Sequence, residues 1–213
     1  LERPLLIKGE PGTGKTMLAE EIASSLGLNL ITWYVKSTTK AQQGLYEYDA
    51  VSRLRDSQLG DDRVHDINNY IEQGKLWEAF EAGEKVVLLI DEIDKSDDEF
   101  EAFLLEILSD YQVSIPEIGT IKGNVKPIVF LTSNNTREIG DALKRRCLHL
   151  YIPFPDPFLE EKIISSRVPE IDKNLKVQLV NFVQGLRNLD LKKLPSVSET
   201  IDWARSLVLL NVK

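Results

Sequence analysis

Eight residues, Gly9-Glu10-Pro11-Gly12-Thr13-Gly14-Lys15-Thr16, separate the apolar run Pro4-Leu5-Leu6-Ile7 from the stretch Met17-Leu18-Ala19-Glu20-Glu21-Ile22-Ala23. Glycine and proline at this density continue neither a strand nor a helix, so the segment is a strand-to-helix junction. It ends on a lysine and a hydroxyl that open the helix. The spacing G-x-x-x-x-G-K-[ST] lets backbone N–H groups gather around an anion. In this reading Lys15 neutralises β- and γ-phosphate charge and the Thr16 hydroxyl ligates Mg²⁺. Gly9, Glu10, Pro11, Gly12, Thr13, Gly14, Lys15, Thr16 and Met17 are the candidate nucleotide contacts. The junction speaks for nucleotide binding; hydrolysis needs other residues.

Continuous apolar runs recur at Leu5–Ile7, Leu28–Val35, Val86–Ile90, Ile128–Thr132 and Leu148–Ile152. Unbroken rather than alternating, they read as strands buried on both faces of a parallel sheet. Helical patterns lie between them at Lys15–Leu26, Val64–Ala82, Asp97–Ser109 and Ile139–Arg146, which predicts an α/β doubly wound fold. Pro153-Phe154-Pro155-Asp156-Pro157 then breaks the chain. Beyond it Phe158–Val168, Lys173–Leu186 and Ser196–Leu210 read as amphipathic helices with no strand between them. Two domains are expected: an α/β core over 1–155 and a small all-helical domain over 156–213. Two segments interrupt the core. Lys36–Asp62 is longer than a normal connection, and Gln112–Lys122, centred on Pro116 and Gly119, predicts a β-hairpin.

Val86-Val87-Leu88-Leu89-Ile90-Asp91-Glu92 runs from apolar residues into two carboxylates. A buried strand of an open α/β sheet delivers its C-terminal end to the ligand crevice, where Asp91 would hold Mg²⁺ through water and Glu92 would orient or deprotonate an attacking water. Without the phosphate loop, the same pair is a polar helix cap. The run ending Thr132-Ser133-Asn134-Asn135 places an amide similarly; Asn134 either hydrogen-bonds the attacking water or the γ-phosphate, or closes an Asx turn. Arg145 and Arg146 close a helix before the fifth strand. They either complement its dipole or supply an arginine finger to a neighbouring subunit's γ-phosphate, Arg146 being the first choice.

The 213 residues, 42% hydrophobic and 28% charged, suit a folded globular chain. A net charge of −8 disfavours duplex nucleic acid as the partner. One cysteine, Cys147, leaves no internal disulfide and points to a reducing compartment; with no signal pattern and no membrane span, a cytoplasmic protein is expected. Cys147 reads as buried filler, His65 and His149 lack metal-ligand spacing, and Trp33, Trp77 and Trp203 read as core. Tyr46 and Tyr48 lie in the first insertion, where they pack the insert or grip a client.

Taken together the motifs resemble those of an AAA+ ATPase: GEPGTGKT is similar to its Walker A, LLIDEID to its Walker B, TSNN to sensor 1 and ALKRRC to its arginine-finger segment. The two insertions resemble the MoxR-type branch. The resemblance implies a P-loop core with a parallel five-stranded sheet of order 5-1-4-3-2, a helical lid, and ATP with Mg²⁺ held at a subunit interface. It further implies a hexameric homo-oligomeric ring acting as a chaperone-like remodeller of a protein client, often with a von Willebrand factor A domain partner. A nucleic-acid motor or loader, or a slow nucleotide-gated switch, is the alternative on the same core. The lid of the family often carries a sensor 2 arginine; here the comparable stretch Lys192–Glu199 has none, leaving Lys192 or Lys193 as substitutes.

Overall fold

The structure, a computed structural model, describes residues 2–115, 119–123 and 125–210. The first strand, β1 (Leu5–Gly9), leads through the glycine-rich loop into α1 (Lys15–Leu26), and β2 (Leu30–Tyr34) follows. Next come β3 (Tyr46–Tyr48), α2 (Ala50–Leu59), β4 (Ile71–Gln73) and α3 (Lys75–Glu81). Beyond them run β5 (Val87–Asp91), α4 (Asp98–Asp110), the antiparallel pair β6 (Gln112–Ile115) and β7 (Gly119–Lys122), β8 (Ile128–Ser133), α5 (Asp141–Arg146) and β9 (Leu148–Ile152). Among the described residues three helices follow: α6 (Pro157–Arg167), α7 (Lys173–Arg187) and α8 (Val197–Leu209). The central sheet has the order β2-β5-β8-β1-β9. Counting only its own strands, this is the expected 5-1-4-3-2.

Strand β5 is buried along its whole length because it pairs in parallel on both sides, with β2 and with β8. That explains why its sequence is an unbroken apolar run until Asp91. Trp33 and Phe100 meet at 5.0 Å between ring centroids in the core that covers one face. Helix α4 starts where Asp97 accepts the Phe100 N–H, and its first turn carries Asp98, Glu99 and Glu101, which suits the positive helix end.

Three expectations fail here. The segment 64–82 is not one helix. Asp61 and Asp66 accept the N–H groups of Arg63 and Asn68, capping short 3₁₀ turns that compete with a continuous helix. Gly74 then donates to the Leu45 carbonyl at 2.6 Å and packs against the Gly44 backbone, so within 64–82 only Lys75–Glu81 is α-helical. The first insertion holds a helix of its own, α2, bracketed by the β3–β4 ribbon. Within it Tyr46 is buried, whereas Tyr48 is exposed and accepts from Arg53 Nη1. Strand β9 is not buried on both faces either: it is the sheet's last strand, and Leu148 and Tyr151 are exposed. The second insertion is a hairpin as expected, although Pro116 lies outside the described residues.

The described residues group into two compact units, one within Leu1–Ile7 and Thr16–Leu150, the other within Lys8–Lys15 and Tyr151–Lys213. In the second unit each helix has a side-chain cap. Asp156 accepts from Leu159 N with Pro157 in the first turn, Asp172 accepts from Asn174 N and Leu175 N, and Ser196 forms a capping box with Glu199. The core of this unit centres on Ile164, Leu179, Val180, Val183 and Ala204. Trp203 is not part of it: the third failed expectation is an indole 38% exposed, 6.3 Å from the exposed Phe182 ring.

Cys147 is buried, and burial pushes its thiol up to about 11. At pH 8 a thiol-specific disulfide reagent is expected to leave the native chain unlabelled while modifying one thiol per denatured chain. Rapid labelling of the folded protein would contradict this placement. No helix among the described residues is long and apolar enough to cross a membrane.

Candidate active site

In the larger unit the carboxyl end of β5 carries the expected acidic pair. Thr16, at the start of α1, donates its hydroxyl to Asp91 at 3.1 and 3.2 Å. Residues 75 positions apart in the chain are thereby joined. Asp91 is buried and also accepts from the Thr132 hydroxyl on β8. Thr132 has a second role, accepting the Glu92 N–H at 2.9 Å. Glu92 needs that anchor because its φ of 61° is in the left-handed region, sparsely populated by residues other than glycine. The Glu92 carboxylate accepts from Asn134 Nδ2 at 3.2 Å and pairs with Lys95. Asn134 therefore reaches across to Glu92 instead of closing an Asx turn.

Asp94 completes this end of the sheet. It is buried and accepts from Asn134 N at 3.2 Å, Thr136 N at 2.9 Å and the Thr136 hydroxyl at 2.6 Å, which clamps the loop after β8. Sequence reasoning missed Thr132, Asp94 and Lys95 as members of this cluster. Asp94 and Lys95 stand in the same short stretch as Glu92, so proximity to the acidic pair was a usable signal. Nothing local marks Thr132, whose role comes from sheet register.

The glycine-rich loop belongs to the second unit. Gly12 and Gly14 have φ of 72° and 90°, a conformation that side chains disfavour. A Cβ on Gly14 would meet nothing within 4 Å, so the loop is open there. Thr13 donates its hydroxyl to Glu10 O at 2.8 Å. The buried Lys15 ammonium donates to Gly9 O at 2.9 Å and Glu10 O at 2.7 Å, on the same loop. Pro11 and Met17 are exposed. This loop fits a triphosphate: a backbone turn that is open at Gly14, with a lysine ammonium held on its own carbonyls. The Thr16 hydroxyl and Asp91 carboxylate are hard oxygen donors, and Mg²⁺ takes one or two protein oxygens with substrate phosphates.

Arg145 and Arg146 end α5. The Arg3 guanidinium ties down the carbonyls there, with Nε to Arg146 O at 3.0 Å and Nη2 to Arg145 O at 2.8 Å and Cys147 O at 2.9 Å. Both arginine side chains are exposed; that of Arg146 donates to Leu105 O at 3.3 Å, and Arg145 makes no side-chain hydrogen bond among the described residues. The lysines offered in place of a sensor 2 arginine are exposed, and Lys193 pairs with Glu199 at 2.9 Å. That bond, with the Ser196 N–H, holds the Glu199 carboxyl down at about 2.

Known proteins similar to this chain include Fidgetin-like protein 1 of Drosophila melanogaster, 24% identical over 202 residues, which covers 90% of this chain and 34% of that protein. A katanin p60 ATPase-containing protein of Danio rerio, of the A-like 1 type, is 26% identical over 193 residues, covering 85% and 35%. Its human counterpart is 25% identical over 193 residues, covering 85% and 34%. The chain spans about a third of the length of these curated relatives. The sequence profile of the AAA family, the ATPase family associated with various cellular activities, matches residues 5–155, which is well over half of the chain. With a phosphate loop, a β5 carboxylate bonded to the first hydroxyl of α1, and this match across the α/β core, the chain belongs to the AAA family.

Proposed function

We propose that this chain is the ATP-hydrolysing module of an AAA remodelling protein, with residues 1–155 as nucleotide-binding core and 156–213 as helical lid, working in the cytoplasm as a homo-oligomeric ring on a protein client. The observation that carries the reading is the Thr16–Asp91 hydrogen bond, which sets a hydroxyl and a carboxylate side by side next to Glu92. Thr16 and Asp91 would hold Mg²⁺, which when bound offsets phosphate charge and polarises the γ-phosphoryl group. Lys15 leaves its loop carbonyls to pair with the phosphates. Glu92 takes the proton of the attacking water, and Asn134 holds its carboxylate in one orientation. Arg145, the less tethered of the two arginines, is the better finger for a neighbouring subunit's γ-phosphate.

The MoxR-type reading, with its von Willebrand factor A domain partner and hexameric ring, draws its support from the β3–β4 and β6–β7 insertions. The relatives named above are fidgetin-like and katanin-like. What both readings share is an AAA ATPase that remodels a macromolecule, and that is the part proposed here.

The test is phosphate release from Mg·ATP by the purified chain. Turnover per chain is expected to rise with protein concentration as rings assemble and to vanish with a chelator. Lys15→Ala is expected to weaken ATP binding by about 100-fold, the cost of removing a buried charge partner. Wild-type ATP affinity in Lys15→Ala, or no ATP binding by the wild type, would end the reading. Salt-dependent retention of DNA or RNA on a filter would favour a nucleic-acid motor instead.

A further inference from the structure

All three helices of the second unit converge on one carboxylate. Glu160 of α6 is fully buried and accepts four hydrogen bonds: from Gln184 Nε2 at 2.7 Å, Arg187 Nη1 at 2.7 Å, Arg187 Nη2 at 2.9 Å and Thr200 Oγ1 at 2.9 Å. The Arg187 side chain, at the end of α7, is 5% exposed. Its guanidinium carbon lies 4.3 Å from the centre of the Phe154 ring, and its Nε donates to Pro195 O at 2.8 Å. A buried ion pair adds little stability over apolar groups of the same volume, so its value is sought in the geometry it imposes.

That geometry concerns one turn. Pro195 and Thr200, both bound to the pair, bracket the start of α8. The turn between them lies against the glycine-rich loop. A Cβ on Gly12 would come 2.9 Å from Ser196 Cβ and 3.0 Å from Ser198 Oγ. The loop and the three helices belong to the same compact unit. We infer that Glu160 and Arg187 are positioning residues for nucleotide: by fixing the Ser196–Ser198 turn against Gly12, they hold the loop backbone in the shape that a triphosphate takes up. The inference rests on the reading of this loop as the nucleotide site. By linkage, a nucleotide on the loop stabilises the packing of the helices as well.

The test uses the 213-residue chain with Glu160→Met together with Arg187→Met, which removes both charges and keeps the volume filled. Amide exchange of residues 9–15 is measured without nucleotide, alongside ADP affinity and the melting temperature. In a variant that melts close to wild type, exchange in the loop is expected to be about tenfold faster and ADP about tenfold weaker. Loop exchange equal to wild type overturns the inference. A wild type that binds no ADP overturns the nucleotide reading instead, while the exchange comparison still decides the positioning role. Should the double variant fail to fold, Thr200→Val removes one bond to Glu160 at constant shape. Loop exchange about threefold faster supports the inference, and an unchanged rate overturns it.

Discussion

Glu92→Gln is expected to lower ATP turnover by about 10²–10⁴-fold, the usual contribution of a positioned general base. ATP binding should stay near the wild-type level. The substitution is well suited to the question because glutamine keeps the carbonyl oxygen that accepts from Asn134 Nδ2 and the backbone N–H that bonds Thr132. The strained left-handed turn at residue 92 is held by that backbone bond, so the loop is expected to keep its shape. What disappears is the capacity to take a proton. The salt bridge to Lys95 is also lost, but both partners are partly exposed and such pairs contribute little. The readout is phosphate release at saturating ATP beside a direct binding titration. Turnover within threefold of wild type would remove Glu92 from the mechanism, while a parallel loss of binding would mean that it holds nucleotide instead.

Gly9→Ala is expected to cost about 3 kcal/mol of stability, the upper part of the range for overpacking. In a chain of this size that lowers the melting temperature by roughly 6–12 °C. A Cβ at position 9 would sit 2.1 Å from the Ile152 carbonyl oxygen, and backbone cannot swing aside as a side chain does. The φ of 155° adds to the cost. Gly14→Ala is the control from the same motif. A Cβ there meets open space, so only the strain of φ 90° remains, about 1–2 kcal/mol. The two glycines thus serve different ends, Gly9 the close approach to the Ile152 carbonyl and Gly14 an open turn, which in the proposed function faces phosphate. Thermal melting without nucleotide separates them. Equal shifts for both variants would refute the distinction.

The glycine-rich loop, the acidic end of β5 and the amide after β8 were legible because each is a local signal. A run of buried apolar residues followed directly by a polar pair has few structural meanings. The strands of the central sheet were legible from their apolar runs, although β9 proved exposed, and the β5–β8 register explains Thr132, which no local pattern singles out. The segment 64–82 shows the opposite case. Its apolar spacing suits a helix, yet aspartate caps and the approach of Gly74 to Gly44 win, and the second of these comes from a residue 30 positions earlier. Trp203 has the periodicity of a core residue but ends beside Phe182 at the surface, since helical period marks an apolar face without saying what covers it. Lys192 and Lys193 resembled a cationic replacement by position alone. The structure spends Lys193 on Glu199 instead.

By itself the sequence determined the chemistry on offer: a lysine and a hydroxyl after a nest of glycines, two carboxylates after a buried strand, and an amide after another. Backbone conformation and burial within a few residues are enough to write those signals. Only the tertiary structure decided that Thr16 meets Asp91, that Asn134 meets Glu92, and that Glu160 and Arg187 are buried together beside the turn that abuts Gly12. Those three side-chain pairs join residues 27 to 75 positions apart, and they exist because strand order and helix packing bring them within bonding distance.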